Sequence, residues 1–117
     1  MFSIADWVYN CHHDSLEAGW WSEEDLKNTM VHAVKIALIH SEVSEALEGI
    51  RKNTFDAHLP HRKTVEVELA DTLIRIFDLA GALDLDLEGA VFEKCAYNKK
   101  RADHKPEHRA TENGKKF

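Results

Sequence analysis

Residues 65–83 read "VEVELADTLIRIFDLAGAL", and the fold turns on how this stretch is read. Its apolar residues recur every three or four positions, the period of a helix. Val65, Leu69, Leu73, Ile76, Phe77 and Ala80 make one wall, and Ala70, Ile74 and Gly81 widen it. A helix this apolar in a chain of 117 residues needs burial on several sides. One stripe is polar. Thr64, Glu68, Asp71, Arg75 and Asp78 follow at spacings of 4, 3, 4 and 3, which keeps them on one face.

Working outward, this helix is expected from about Arg62 to Leu83, after a loop "NTFDAHLPHR" at 53–62. A long helix precedes the loop, capped by Ser22 with Asp25 and running to about Lys52. A first helix starts at the Ser3–Asp6 capping pair and runs to about Ala18, and a fourth spans about Asp86 to Ala102. Period-2 alternation is weak throughout. The expectation is an all-α bundle of about four helices in one domain, 1–117, with a basic C-terminal tail from about 103. Four helices leave part of the third helix uncovered, so the bundle is expected to be completed by homo-oligomerisation.

Charge is unevenly placed. From Lys94 onward eight Lys and Arg face three acids, whereas the preceding part carries seven bases and eighteen acids. Such a body does not suit a nucleic-acid polymer, but it suits a small polyanion if a cation covers the acids. No apolar run approaches the roughly 20 residues of a bilayer span. The N-terminus lacks a basic segment followed by an apolar one. Cys11 and Cys95 form no disulfide or zinc pattern. A cytoplasmic protein with no membrane partner is expected.

The chemistry lies in two acidic pairs. Glu42 and Glu45, in "IHSEVSEALEGIRK" (39–52), stand three apart, and Glu68 and Asp71 repeat that relation on the next helix. If the two helices run antiparallel, the pairs converge. Four carboxylates in one place need a counter-charge. Oxygen-only ligation suits Mg²⁺, with Mn²⁺ as a substitute. A di-iron bundle would need Glu-x-x-His, and no Glu here has a His three residues later. Arg75 is read as contacting phosphate or, in preference, as orienting Asp71 and Asp78. "CHHD" at 11–14 is read as surface histidines near a helix end, and His58 and His61 as loop residues without a zinc role. Trp20 and Trp21, in the turn before the second helix, either stack on a nucleobase or cap the bundle.

Glu42-x-x-Glu45, a 22-residue gap and Glu68-x-x-Asp71 together resemble the ExxE…ExxD signature of the MazG-like all-α nucleoside triphosphate pyrophosphohydrolases. Lys94, Asn98 and Arg101 in "KCAYNKKR" are similar to that family's Lys…Asn…Arg block, and the resemblance covers roughly residues 19–117. It implies Mg²⁺-dependent hydrolysis of a nucleoside or deoxynucleoside triphosphate to monophosphate and pyrophosphate, in a dimer or tetramer. Glu42, Glu45, Glu68 and Asp71 would hold metal, and Glu42 or Glu45 would activate water. Lys94, Asn98 and Arg101 would bind phosphate, joined by Lys115 and Lys116 if the tail folds back. Ser41 departs from the members that carry a further Glu there. Two other readings fit the residues alone: a non-catalytic helical oligomerisation module, and a different metal-dependent phosphohydrolase.

Overall fold

A computed structural model describes all 117 residues. The chain is all-α: α1 (Ile4–Glu17), α2 (Glu23–Lys27), α3 (Thr29–Lys52), α4 (Thr64–Ala82), α5 (Leu87–Lys100) and α6 (Pro106–Arg109), with a 3₁₀ turn at Ala102–His104. An isolated antiparallel bridge, Phe55 to Lys63, is the one extended pairing. No helix is long and apolar enough to cross a membrane. Contacts divide the chain into two compact units, Met1–Leu85 and Asp86–Phe117.

In the first unit, Ser3 and Ser22 each close a capping box, with Asp6 and Asp25 respectively. The long helix expected from Ser22 to Lys52 is instead broken at Asn28. That residue ends α2 and caps α3 with φ −95° and ψ 109°, and its side chain accepts from the Met30 amide at 2.9 Å. A short amide side chain competes with the helix for backbone N–H groups, so the helix stops and restarts there. α3 ends on Asn53 in the left-handed conformation, φ 50° and ψ 53°, a role that Asn tolerates.

α3 and α4 pack against each other and run antiparallel. Gly49 near the end of α3 meets Thr64 at the start of α4, where an added Cβ would lie 2.9 Å from the Thr64 side chain. The 53–63 connection is tied at its base by Thr64 N–H to Thr54 O (3.0 Å) and within by Asp56 N–H to Arg62 O (2.9 Å). α1 packs on α4 from another side, with His12 against Gly81 so closely that a Cβ there would lie 2.5 Å from the His12 Cβ.

The orientation of α4 is the main surprise. Its polar stripe faces α1 and α3, where Arg75 and Asp78 find partners. The apolar wall is divided. Leu79 and Ala80 are buried, and Phe77 stacks with Trp7 at 6.4 Å, but Leu69 and Leu73 are each 50% exposed. The buried apolar residues are Trp21, Ala46, Leu79 and Ala80, a small core for a chain of this length.

Asp78 joins three segments. Its carboxylate accepts from His12 Nδ1 (2.9 Å), Ser15 Oγ (2.9 Å) and Trp21 Nε1 (3.0 and 3.1 Å). His12 is therefore not a surface residue, as its place in "CHHD" had suggested, but a partner of α4.

In the second unit, the Asp86 side chain caps α5 by accepting from the Gly89 amide at 2.9 Å. α5 stops at Lys100, two residues short of the expected Ala102, because Arg101 turns to ψ 142°. Lys116 folds back to donate to Arg109 O (3.0 Å) and Thr111 O (3.3 Å).

Replacing Asp78 with Ala strands three donors, among them the indole N–H of a tryptophan that is 6% exposed. Asp78→Ala should lower stability by about 3 kcal/mol, since each stranded buried donor costs about 1–3 kcal/mol. Urea denaturation of the metal-free protein measures it.

Candidate metal and substrate site

Antiparallel packing brings the acids of α3 and α4 together. Single carboxylate oxygens of Glu42, Glu68 and Asp71 all lie within 4.8 Å of one another. Glu45, the fourth expected ligand, is exposed and stands outside this trio. It remains near enough for its charge to act on both Glu68 and Asp71.

Crowding shows in the electrostatics. Glu68 is pushed up from 4.5 to about 7, first by loss of solvent, then by a hydrogen bond shared with Glu42 and by the charges of Glu45, Glu42 and Asp71. Asp71 is also raised, first by burial and then by Glu42, although Arg75 pulls the other way. With both glutamates ionised, Glu68 Oε2 is buried with no donor. A proton on the Glu68–Glu42 pair relieves this, and so would a cation. An all-oxygen donor set with an orphaned buried oxygen fits a hard divalent ion. Arg75, expected to orient Asp71 and Asp78, instead donates from Nε to Glu42 Oε1 at 2.9 Å. Asp78 is occupied by α1 and Trp21. Ser41 Oγ donates to the Leu38 carbonyl at 2.6 Å, so its hydroxyl is engaged within its own helix.

Glu42 and Asp71 also stand in the wall of a cavity of about 750 Å³, open to solvent and lined by α1, the α1–α2 turn, α3 and α4. That volume lies within the usual range of about 300–1,000 Å³ for small-molecule sites. Trp7, Trp20, Trp21 and Lys35 share this wall. The two adjacent tryptophans differ. Trp21 is 6% exposed and held on several sides: Lys35 Nζ lies 4.5 Å from its ring centroid, the His32 ring 6.2 Å away, and the His12 ring edge-on at 6.0 Å. Trp20 is 69% exposed.

The basic residues expected to bind phosphate belong to the second unit. Lys94 Nζ lies 4.8 Å from the centroid of the Tyr97 ring. Asn98 Oδ1 is buried without a donor. Arg101 Nε pairs with Asp103 Oδ1 at 3.4 Å, too poorly aligned for a hydrogen bond. Lys116 is engaged by backbone carbonyls, and Lys115 is exposed.

Lys35 is the cation of the cavity wall that sequence reading missed, and Trp7 and Ser15 of α1 were missed with it. A signal existed: Lys35, Leu38 and Glu42 follow at spacings of 3 and 4, and all three line the cavity. Comparison with protein families, curated proteins and solved structures finds no match.

The raised Glu68 carries a pH signature. Its folded-state value lies above its unfolded one, so the folded protein holds the extra proton and gains stability that is fully present below about 4.5. That contribution fades as pH rises through about 7. Metal-free protein should therefore lose thermal stability between pH 5 and pH 8 by more than Glu68→Gln does. Parallel melting curves of the two proteins across that range measure the difference.

Proposed function

We propose that this chain is a MazG-like nucleotide pyrophosphohydrolase. It would hydrolyse a nucleoside or deoxynucleoside triphosphate to monophosphate and pyrophosphate with Mg²⁺, or with Mn²⁺ in its place. One observation carries the reading: Glu42 and Asp71 belong both to the carboxylate trio and to the wall of a cavity that also presents Trp20. A site with a metal-ready anionic end and an aromatic wall suits a ligand with phosphates at one end and a base at the other. The four-acid motif and the Lys/Asn/Arg block support the same class.

When bound, the metal supplies charge neutralisation at the phosphates and lowers the pKa of the attacking water. Glu42, Glu68 and Asp71 hold it, and Glu45, exposed beside them, adds negative charge to the site. A carboxylate freed of its proton orients the water for in-line attack on the α-phosphorus. Glu42 and Glu45 are the candidates for that role. Trp20 offers an exposed face for base stacking, worth about 1–3 kcal/mol. Trp21 supports the wall instead, since protein groups already crowd its ring. The resemblance assigns phosphate binding to Lys94, Asn98 and Arg101. Two free cysteines accord with a reducing, cytoplasmic setting.

The same reading includes a homo-oligomer. On α4, Leu69, Leu73 and Ile74 are about half exposed, and on α3 Met30, Val34, Val43, Leu47 and Ile50 are more or less equally open. Two neighbouring helices with this much apolar surface favour burial against a second copy.

The chemistry is tested by incubating the protein with NTPs and dNTPs plus Mg²⁺ in ¹⁸O-labelled water. Monophosphate carrying the label, with unlabelled pyrophosphate, is the expected result. Orthophosphate and a diphosphate would mean attack at the γ-phosphorus and a different phosphohydrolase. No turnover with any nucleotide would favour the oligomerisation module. Glu42→Gln should slow turnover by about 10²-fold or more, in line with losing a group that positions and deprotonates water.

Assembly has its own measurement. Light scattering at micromolar concentration should give a mass at least twice the 13.4 kDa of one chain. A mass equal to one chain would remove the oligomer from the reading.

A further inference from the structure

Arg75 is the cation in direct hydrogen-bond contact with the trio. Its Nε donates to Glu42 Oε1 at 2.9 Å, from a side chain that is 40% exposed while Glu42 is 14% exposed. Arg75 lies one turn beyond Asp71 on α4, and both residues line the cavity. Arg75 carries a cationic guanidinium with a fork of N–H donors. It supplies part of the positive charge that three crowded carboxylates need, and it occupies an oxygen of Glu42. It does not reach the whole cluster, because Glu68 Oε2 remains buried without a donor.

We infer that Arg75 is the resident counter-cation of the carboxylate trio: it holds Glu42 while no metal is bound and gives that oxygen up when a divalent ion enters. The inference rests on the reading of Glu42, Glu68 and Asp71 as metal ligands, and it adds a competition that sets how tightly metal binds. Arg75 acts on the metal through Glu42 and is thus a positioning residue. On release, its guanidinium stays in the cavity wall as a cation available to an anionic ligand.

A simple α3–α4 pin and a counter-cation differ in the sign of one effect. A pin, once removed, leaves Glu42 less well placed and metal binding weaker or unchanged. A counter-cation, once removed, leaves more negative charge for the metal and an unoccupied Glu42 oxygen, so binding tightens. Mn²⁺ titration without nucleotide, following the resonance of free Mn²⁺, separates the two. Wild type should bind Mn²⁺, and Glu68→Gln should bind it more weakly. If wild type binds none, the metal reading itself fails and the role of Arg75 falls with it. Given binding, Arg75→Met should bind Mn²⁺ about tenfold more tightly, the order expected from removing a nearby like charge. Arg75→Lys, which keeps the charge, should stay near wild type. Equal or weaker binding by Arg75→Met overturns the inference and leaves the metal reading standing. A second measurement follows Arg75 itself in the wild-type protein. During Mg²⁺ titration the Arg75 Nε–H resonance, identified by its loss in Arg75→Lys, should shift and exchange faster with solvent. A resonance unmoved at saturating Mg²⁺ also overturns the inference.

Discussion

Three carboxylates from two antiparallel helices stand with oxygens within 4.8 Å of one another, and as three free anions they would drive α3 and α4 apart. Two features of the chain hold them. Glu68 keeps a proton up to about pH 7, shared with Glu42. Arg75 reaches across from α4 to take Glu42 Oε1. Each compensation leaves a trace. Asp71 stays raised despite Arg75, and one oxygen of Glu68 stays buried without a donor. The acids of the α3–α4 pair are thus only partly compensated.

The rest of the first unit is arranged around that pair. Asp78 lies one turn beyond Arg75 on the same stripe and serves a different purpose. Its carboxylate gathers His12, Ser15 and Trp21, so α1 and the turn after it are pinned to α4. The pinning makes Trp21 part of the wall and leaves Trp20 exposed beside the cavity. One stripe of α4 thereby does two jobs: Glu68 and Asp71 make the acidic end of the site, and Asp78 secures its aromatic wall.

The polar stripe faces inward, so part of the apolar surface of α4 faces outward. This departs in part from the usual arrangement of a bundle helix, in which the whole apolar stripe meets the core, since Ala80 stays buried while other members open outward. Glu68, Arg75 and Asp78 are only partly exposed, while Leu69 and Leu73 stand half open.

The helices were legible in the sequence because their signals are local. The Ser3–Asp6 and Ser22–Asp25 boxes, the 3.6-residue periodicity and the Gly and Pro positions depend on neighbours a few residues away. The likeness of spacing between Glu42-x-x-Glu45 and Glu68-x-x-Asp71 was equally plain, because it too is a local pattern. The stop at Asn28 was harder, since a side-chain amide and a continuing helix compete for the same N–H groups and the outcome is a small difference. What no local pattern carries is direction and partnership. Sequence spacing grouped Glu45 with Glu42, Glu68 and Asp71, and packing brings the other three together while Glu45 stays exposed. It put Arg75, Asp78 and Asp71 on one stripe, yet only packing decided that Arg75 pairs with Glu42, 33 residues earlier, and that Asp78 pairs with His12, 66 residues earlier. It set Trp20 and Trp21 side by side, and the fold buried one and exposed the other. Local backbone energetics are written in short stretches of sequence; which charge meets which is settled by long-range packing, where a partner is chosen by distance in space.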